Sequence, residues 1–135
     1  MEAVKGSIYI LSLLTVLFGC KRYNTSELED FFHLPLSDKI EFLKVDEQWN
    51  DFNGDGEKVV VFKIKSKEIN AILKSAREND FKVTNIDTDE KIFTARQLKY
   101  IKGEVLYKTI HKPNETNTVA IDSLNGILTY FVGIQ

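Results

Sequence analysis

The residue best suited to covalent chemistry is Cys20, the only cysteine in the 135-residue chain. It stands where an apolar run over residues 7–18 gives way to the polar sequence 21–25. A thiol is the most nucleophilic side chain for taking a lipid group. The run is shorter than the roughly 20 residues that a membrane-spanning helix needs, but it has the length of the apolar part of a secretory signal. The pattern therefore predicts an export signal that ends at a reactive cysteine.

The sequence Leu17-Phe18-Gly19-Cys20 resembles the lipobox of bacterial lipoproteins: an aliphatic residue, a variable one, a small one and an invariant cysteine. The resemblance implies cleavage between Gly19 and Cys20, lipidation of the Cys20 thiol (as by palmitate) and acylation of the new amino terminus. Several lipid chains together hold a protein firmly to a membrane. The alternative is an uncleaved apolar helix with a chance cysteine at its end. The implied division of the chain is a signal peptide over 1–19, a lipidated tether over 20–25 and a single domain over 26–135.

The residue after the cysteine bears on location. Lys21 is not the aspartate that commonly retains lipoproteins in the inner membrane of enteric bacteria. The resemblance then implies the outer membrane of a Gram-negative cell, or the cell face of a Gram-positive one. Lys21 and Arg22 are suited to anionic headgroups, at about 1 kcal/mol each. The expected location is the cell envelope, with the domain facing the periplasm or the exterior.

A calcium-type pattern lies in the middle of the chain. Asp51, Asn53 and Asp55 take positions one, three and five of an EF-hand-like loop, and Gly56 permits its sharp turn. Position twelve should be a bidentate glutamate but is Phe62. The loop therefore has two interpretations: weak calcium binding, or a structural hairpin of the kind that Asn-Gly and Asp-Gly favour. No other cofactor is expected.

Two aromatic side chains flank this loop. Trp49 precedes it and Phe52 lies within it. If both are exposed, they form an aromatic lip suited to a partner protein, because aromatic residues dominate binding hot spots. The alternative is that they pack back over the sheet.

Composition and motifs argue against two broad classes of function. The net charge is −2 with lysines and acids interleaved, which gives no basic footprint for nucleic acid. The two histidines, His33 and His111, stand at predicted element ends, where surface or capping roles are more common than catalysis. The sequence has no phosphate loop, nucleophile elbow or HExxH motif. The prediction is a protein without enzymatic activity.

The hydrophobic pattern predicts an α+β domain. The expected order is helix, strand, strand, helix and three strands, giving a mostly antiparallel sheet of about five strands with two helices on one face. Ser26 is the predicted N-cap of the first helix, in a capping box with Glu29, and Ser66 that of the second. The predicted strands cover residues 39–45, 59–64, 104–110, 118–122 and 127–134.

Two details of the strands follow from spacing. In the first strand, alternation puts Ile40, Phe42 and Lys44 on one face and Leu43 and Val45 on the other. In the last hairpin, Asn125-Gly126 is expected to supply the positive φ angles of a tight turn.

The stretches 49–57, 117–122 and 128–131 together resemble a group of small uncharacterised bacterial proteins, many of them secreted or lipid-anchored. That group has a GDGE hairpin in its middle and an aromatic strand pair near its carboxyl end. The resemblance implies the fold and carries no activity.

The sequence thus predicts a lipid-anchored envelope protein with a non-enzymatic domain that binds a protein partner. Two alternatives remain: an immunity lipoprotein that neutralises a toxin, and a structural or assembly factor of the envelope. The expected interface is the exposed faces of the carboxyl-terminal hairpin strands, because an edge strand can accept a partner strand.

Overall fold

A computed structural model describes residues 23–49, 54–88 and 92–134 of the chain. These residues form an α+β domain with one antiparallel six-stranded sheet and two α-helices, which confirms the expected class. The sheet has one strand more than predicted, because Lys82–Asn85 pairs with its neighbour as a short edge strand. The elements are α1 Ser26–Phe32, β1 Ile40–Trp49, β2 Gly56–Ile64, α2 Ile69–Glu78, β3 Lys82–Asn85, β4 Glu104–Lys112, β5 Glu115–Asp122 and β6 Ile127–Ile134.

The strand order is β1-β2-β6-β5-β4-β3, so the last strand in sequence lies inside the sheet. β6 pairs with β2 on one side and with β5 on the other. Most residues of β5 and β6 are buried on both faces. The carboxyl-terminal hairpin therefore has no free edge for a partner strand, which was the ground for predicting an interface there, and the two edges of the described sheet are β1 and β3.

One face of the sheet carries both helices. Leu28 and Phe32 of α1 belong to the same buried cluster as Ile72 and Leu73 of α2. The sheet contributes every second residue of its central strands to this cluster, as the pleat requires. Its members from the sheet are Val60, Phe62, Ile64, Leu106, Val119, Ile121, Leu128, Tyr130 and Val132.

The opposite face is covered by an irregular segment, residues 92–101, which includes a short 3₁₀ turn. Phe93 and Ile101 from this segment pack with Val59, Val61 and Phe131 in a second buried cluster. A strand buried on both faces reads as a continuous apolar run rather than as an alternating one. The unbroken sequence of Val59–Phe62 in β2 follows from this double coverage.

The helix starts differ from those predicted. Thr25, not Ser26, is the N-cap of α1, and the amide of Ser26 donates instead to Oδ1 of Asn24 at 3.0 Å. Glu29 does not close a capping box, since its Oε1 accepts the amide of Leu36 at 3.0 Å. Ser66 begins a 3₁₀ turn, Ser66–Glu68, and the N-cap of α2 is Glu68.

A β-bulge changes the facing of β1. Phe42 pairs with Phe62, but the next paired residue, Lys44, lies opposite Val61, so that Leu43 is the extra residue. The bulge moves Lys44 to the face opposite the helices and brings Val45, the partner of Val60, to the helix face. The predicted facing of Lys44 and Val45 is therefore wrong.

The β5–β6 hairpin has a loop of residues 123–126, of which Gly126 has a positive φ of 65° and Asn125 does not. The loop is held by Asp122, whose carboxylate accepts the Asn125 amide at 3.1 Å and its side-chain Nδ2 at 2.7 Å. One left-handed glycine is enough here, because a longer hairpin loop does not need two.

A buried polar pair crosses the helix face of the sheet. Tyr130 Oη donates to Oδ1 of Asn117 at 2.7 Å, and Asn117 is 2% exposed. The Nδ2 of Asn117 has no hydrogen-bond partner, so this bond is the one that its side chain makes. Burial raises the pKa of the Tyr130 phenol.

We expect Tyr130→Phe to lower the free energy of unfolding at pH 7 by about 1–2 kcal/mol, because the buried Asn117 loses its partner. In the native protein, stability should also fall as the pH rises above about 10, where the unfolded chain releases the Tyr130 proton and the folded chain still holds it. Urea unfolding at pH 7 and at alkaline pH measures both effects. Tyr107→Phe is the control, and equal alkaline slopes for the native protein and Tyr130→Phe would contradict the assignment.

Candidate functional site

Edge strand β1 carries a concentration of exposed apolar side chains. Of the six large apolar side chains exposed among the described residues, three lie on this strand: Leu43, Val45 and Trp49, at 50%, 47% and 40% exposure. β1 pairs only with β2 in the described part of the chain, so a row of main-chain N–H and C=O groups faces outward. Such an edge is a template for pairing with another strand.

The bulge at Leu43 sets which side of β1 stays open. Val45 and Trp49 lie opposite Val60 and Gly56, on the face that also carries the helices. Neither side chain is part of the helix-face core. The helix face of the second half of β1 is therefore uncovered, and it presents Val45 and Trp49 on either side of the exposed Glu47.

Trp49 lies across the start of β2. A Cβ atom on Gly56 would stand 2.1 Å from the indole Cε3, so a glycine is required for the ring to take this place. The indole Nε1 donates to Oε2 of Glu47 at 3.2 Å. The predicted aromatic lip is thus described for Trp49 alone, which is both packed on Gly56 and 40% exposed. Phe52 lies outside the described residues.

The other face of β1 is covered by charged and polar contacts. The Arg96 guanidinium donates a hydrogen bond to Oε1 of Gln48. Its Nη2 lies 3.8 Å from Oδ1 of Asp46, and its Nε lies 3.7 Å from Oε2 of Glu57. Tyr100 Oη donates to the Asp46 carboxylate, and this hydrogen bond raises the pKa of the tyrosine. Through Arg96 and Tyr100, the segment that covers the second core also braces β1.

A shallow pocket of about 550 Å³ lies between the brace and the indole, lined by Gln48, Trp49, Asp55, Gly56, Glu57 and Arg96. It is the part of the described surface where the predicted aromatic residue and the predicted calcium loop meet. Its walls are mostly charged and polar, and its shallow, open shape differs from that of an enclosed small-molecule site.

The chain enters the domain beside β1. The Tyr23 ring stacks on Phe42 at 6.0 Å between ring centroids and meets Phe62 edge-on at 5.4 Å. The Lys58 ammonium lies 5.5 Å from the centre of the Tyr23 ring, within cation–π range. A groove of about 580 Å³ next to this ring is floored by apolar side chains that include Leu36 and Ile40.

The predicted calcium site is described only at Asp55, since Asp51 and Asn53 lie outside the described residues. Among the residues that the structure describes, no group of three or more His, Cys, Asp or Glu side chains is placed to hold a metal ion. Calcium binding therefore stays a prediction. Gly19 and Cys20 also lie outside the described residues.

His33 lies outside the sheet, after α1, and His111 lies on β4, four strands from β1 in the sheet order. His33 ends α1 with a left-handed φ of 55°, and its carbonyl accepts Ser75 Oγ and Asn79 Nδ2, both at 3.3 Å. His111 is exposed on β4. Within the described ranges, no helix has the length and apolar character needed to cross a membrane.

Sequence reasoning missed Leu43, Val45 and Arg96. The signal for an edge was present in the strand that contains Leu43 and Val45, because β1 interleaves charged residues with apolar ones while β2 contains the unbroken apolar run Val59–Phe62. Charged side chains are common on edge strands. No sequence pattern indicated the contacts of Arg96, because residues 92–101 have no regular hydrophobic period.

We expect Arg96→Ala to lower the free energy of unfolding by about 1 kcal/mol, because the brace on β1 loses a hydrogen bond and two ion pairs. The loss should shrink in 1 M salt, where the ion pairs are screened. Urea unfolding at low and high salt measures it. Lys99→Ala, at an exposed position on the same segment, should change stability by less than about 0.5 kcal/mol; equal effects of the two variants would refute the brace.

No protein-family model matches the chain, and no curated protein or solved structure gives a significant match. The likeness to lipoproteins and to the GDGE group therefore stays a prediction from the sequence. The features that bear on function are the open edge of β1, the indole at its end and the entry of the chain at Tyr23.

Proposed function

We propose that this chain is a lipid-anchored protein of the bacterial cell envelope whose domain binds a protein partner along the outer edge of β1. The observation that carries the proposal is the exposure of Leu43, Val45 and Trp49 on an edge strand, which has a neighbour on one side only in the described sheet. Isolated apolar residues on a surface are ordinary, but several on one open strand mark an interaction site.

Strand addition is the binding mode that fits this edge. A partner segment in extended form would satisfy the outward N–H and C=O groups of β1, and its side chains would read the neighbouring pockets. Lys44, Asp46 and Glu47 keep the free edge soluble and disfavour pairing with unmatched strands. The apolar residues then supply contact area and the charged ones supply selection.

We also propose that the domain binds its partner without transforming it, because its sequence has no phosphate loop, nucleophile elbow or HExxH motif.

The anchor is proposed from the lipobox-like sequence that ends at Cys20. We expect Cys20→Ala to abolish labelling with radioactive fatty acid and to shift the protein from the membrane to the soluble fraction. Because the substitution lies before the described domain, the unfolding curve of the domain should not change. Cys20→Ser is the isosteric control. Unchanged labelling and fractionation in both variants would refute the lipid anchor.

The docking edge can be tested by crosslinking in cells that make the protein natively. A photoreactive phenylalanine analogue at Leu43 should yield a discrete crosslinked product, and the same group at Val83 on the opposite edge should not. Val83 is the matched control because it is 58% exposed on edge strand β3.

The substitution Val45→Lys should remove the product seen from Leu43, since a buried contact would then carry an unpaired charge. Val83→Lys should leave it intact. Equal products from both edges, or a product that survives Val45→Lys, would rule out β1 as the docking strand.

A further inference from the structure

We propose that a patch on the helix face of β1 and β2, formed by Tyr23, Val45, Trp49 and Lys58, lies against membrane phospholipid. The face that carries Val45 and Trp49 then meets lipid, while the outer edge of β1, in the plane of the sheet, stays open to a partner strand at the level of the lipid headgroups. This inference rests on the proposed lipid anchor and adds the orientation of the domain. It also implies that the partner is met at the membrane surface.

The first argument is the length of chain available. Tyr23 is fixed on the domain by Phe42, Phe62 and Lys58. The lipidated residue, Cys20, is three positions earlier in the sequence. Three residues reach about 11 Å at most, even when fully extended. A domain tethered this closely cannot stand off the bilayer, and the side that carries Tyr23 must face it.

The second argument is that the patch is one continuous surface. Val45 and Trp49 are on the helix face of β1, and Lys58 lies opposite Glu47 on β2, on the same face. From Phe42, beneath Tyr23, the strand runs towards Trp49 for about 20 Å at the usual rise per residue. The exposed apolar residues thus begin where the tether arrives and extend away from it.

The third argument is the chemistry of the side chains. Tryptophan and tyrosine concentrate at the headgroup level of membranes, where one end of the ring is apolar and the other is wet. A lysine beside them places its ammonium among phosphates while its stem covers apolar surface. Glu47 lies on this face between Val45 and Trp49, and its carboxylate accepts the indole N–H of Trp49 at 3.2 Å. Lys58 beside it, and Lys21 and Arg22 in the tether sequence, outnumber this single negative charge.

The opposite edge of the sheet provides the contrast. Val83 on β3 is exposed and, as the partner of Leu106, lies on the same face as the patch. β3 is five strand spacings from β1, which is about 24 Å. A domain that rests on its β1 side holds Val83 well clear of the lipid.

The test uses the fact that Trp49 is the only tryptophan in the chain. The mature protein, which begins at Cys20, is purified with its lipid, which mass spectrometry verifies, and reconstituted into phosphatidylcholine and phosphatidylglycerol vesicles. Part of the phospholipid carries bromine high on its acyl chains. Trp49 emission should shift to the blue and fall roughly two-fold, because an indole in the interfacial belt lies within reach of the bromines. Flotation of the vesicles reports anchoring independently.

The control protein combines Trp49→Phe with Val83→Trp, and its emission should stay as it is in bromine-free vesicles. If the native protein floats and Trp49 is unquenched, or if both positions are quenched alike, the orientation is refuted while the lipid anchor stands. If the purified protein carries no lipid and does not float, the proposed anchor fails and the orientation fails with it. Quenching at position 49 but not at position 83, in vesicles that hold no other protein, identifies phospholipid as the group that contacts the patch.

Discussion

The pairing of β6 with β2 is the interaction on which the whole sheet depends. Eight residues of β2, from Gly56 to Lys63, are in register with β6, and β6 is equally paired with β5 on its other side. This one strand joins the β1–β2 hairpin to the strands β3–β5. Without it the described residues would form two small sheets, each with an exposed apolar face. The insertion of β6 between β2 and β5 leaves β1 and β3 as the edges, where a partner strand can pair.

The two faces of the sheet are covered unequally at β1. Both helices cover one face and residues 92–101 cover the other, where Arg96 and Tyr100 reach as far as Asp46 on β1. The helix-side cover stops at Tyr23 and Phe42, leaving Val45 and Trp49 outside it. β1 is thus braced from one side and open on the other. A braced strand binds with less loss of conformational freedom than a loose one.

The sequence predicted the elements whose signal is local. The apolar stripe of α2 gave that helix, and the run in β2 gave a buried strand. The bulge at Leu43, the insertion of β6 and the brace by Arg96 depend on partners distant in sequence, so alternation along one strand could not reveal them. The capping box failed for a similar reason, because Glu29 is taken by the amide of Leu36 in a tertiary contact. The alternation of charged and apolar residues along β1 was the sequence feature that indicated an edge strand.

The position of β6 also bears on how the chain comes to be folded. It is the last of the described strands to be synthesised, yet β2 and β5 both need it as a neighbour. Until it emerges, hairpins form but the sheet cannot close, since non-local pairing is the slow part of assembling a β-structure. If the chain crosses a membrane in extended form, its sheet stays incomplete until β6 has crossed. The chain therefore stays unfolded enough to pass through. Late completion of the sheet is thus a property of this topology, and it is compatible with the export that we propose.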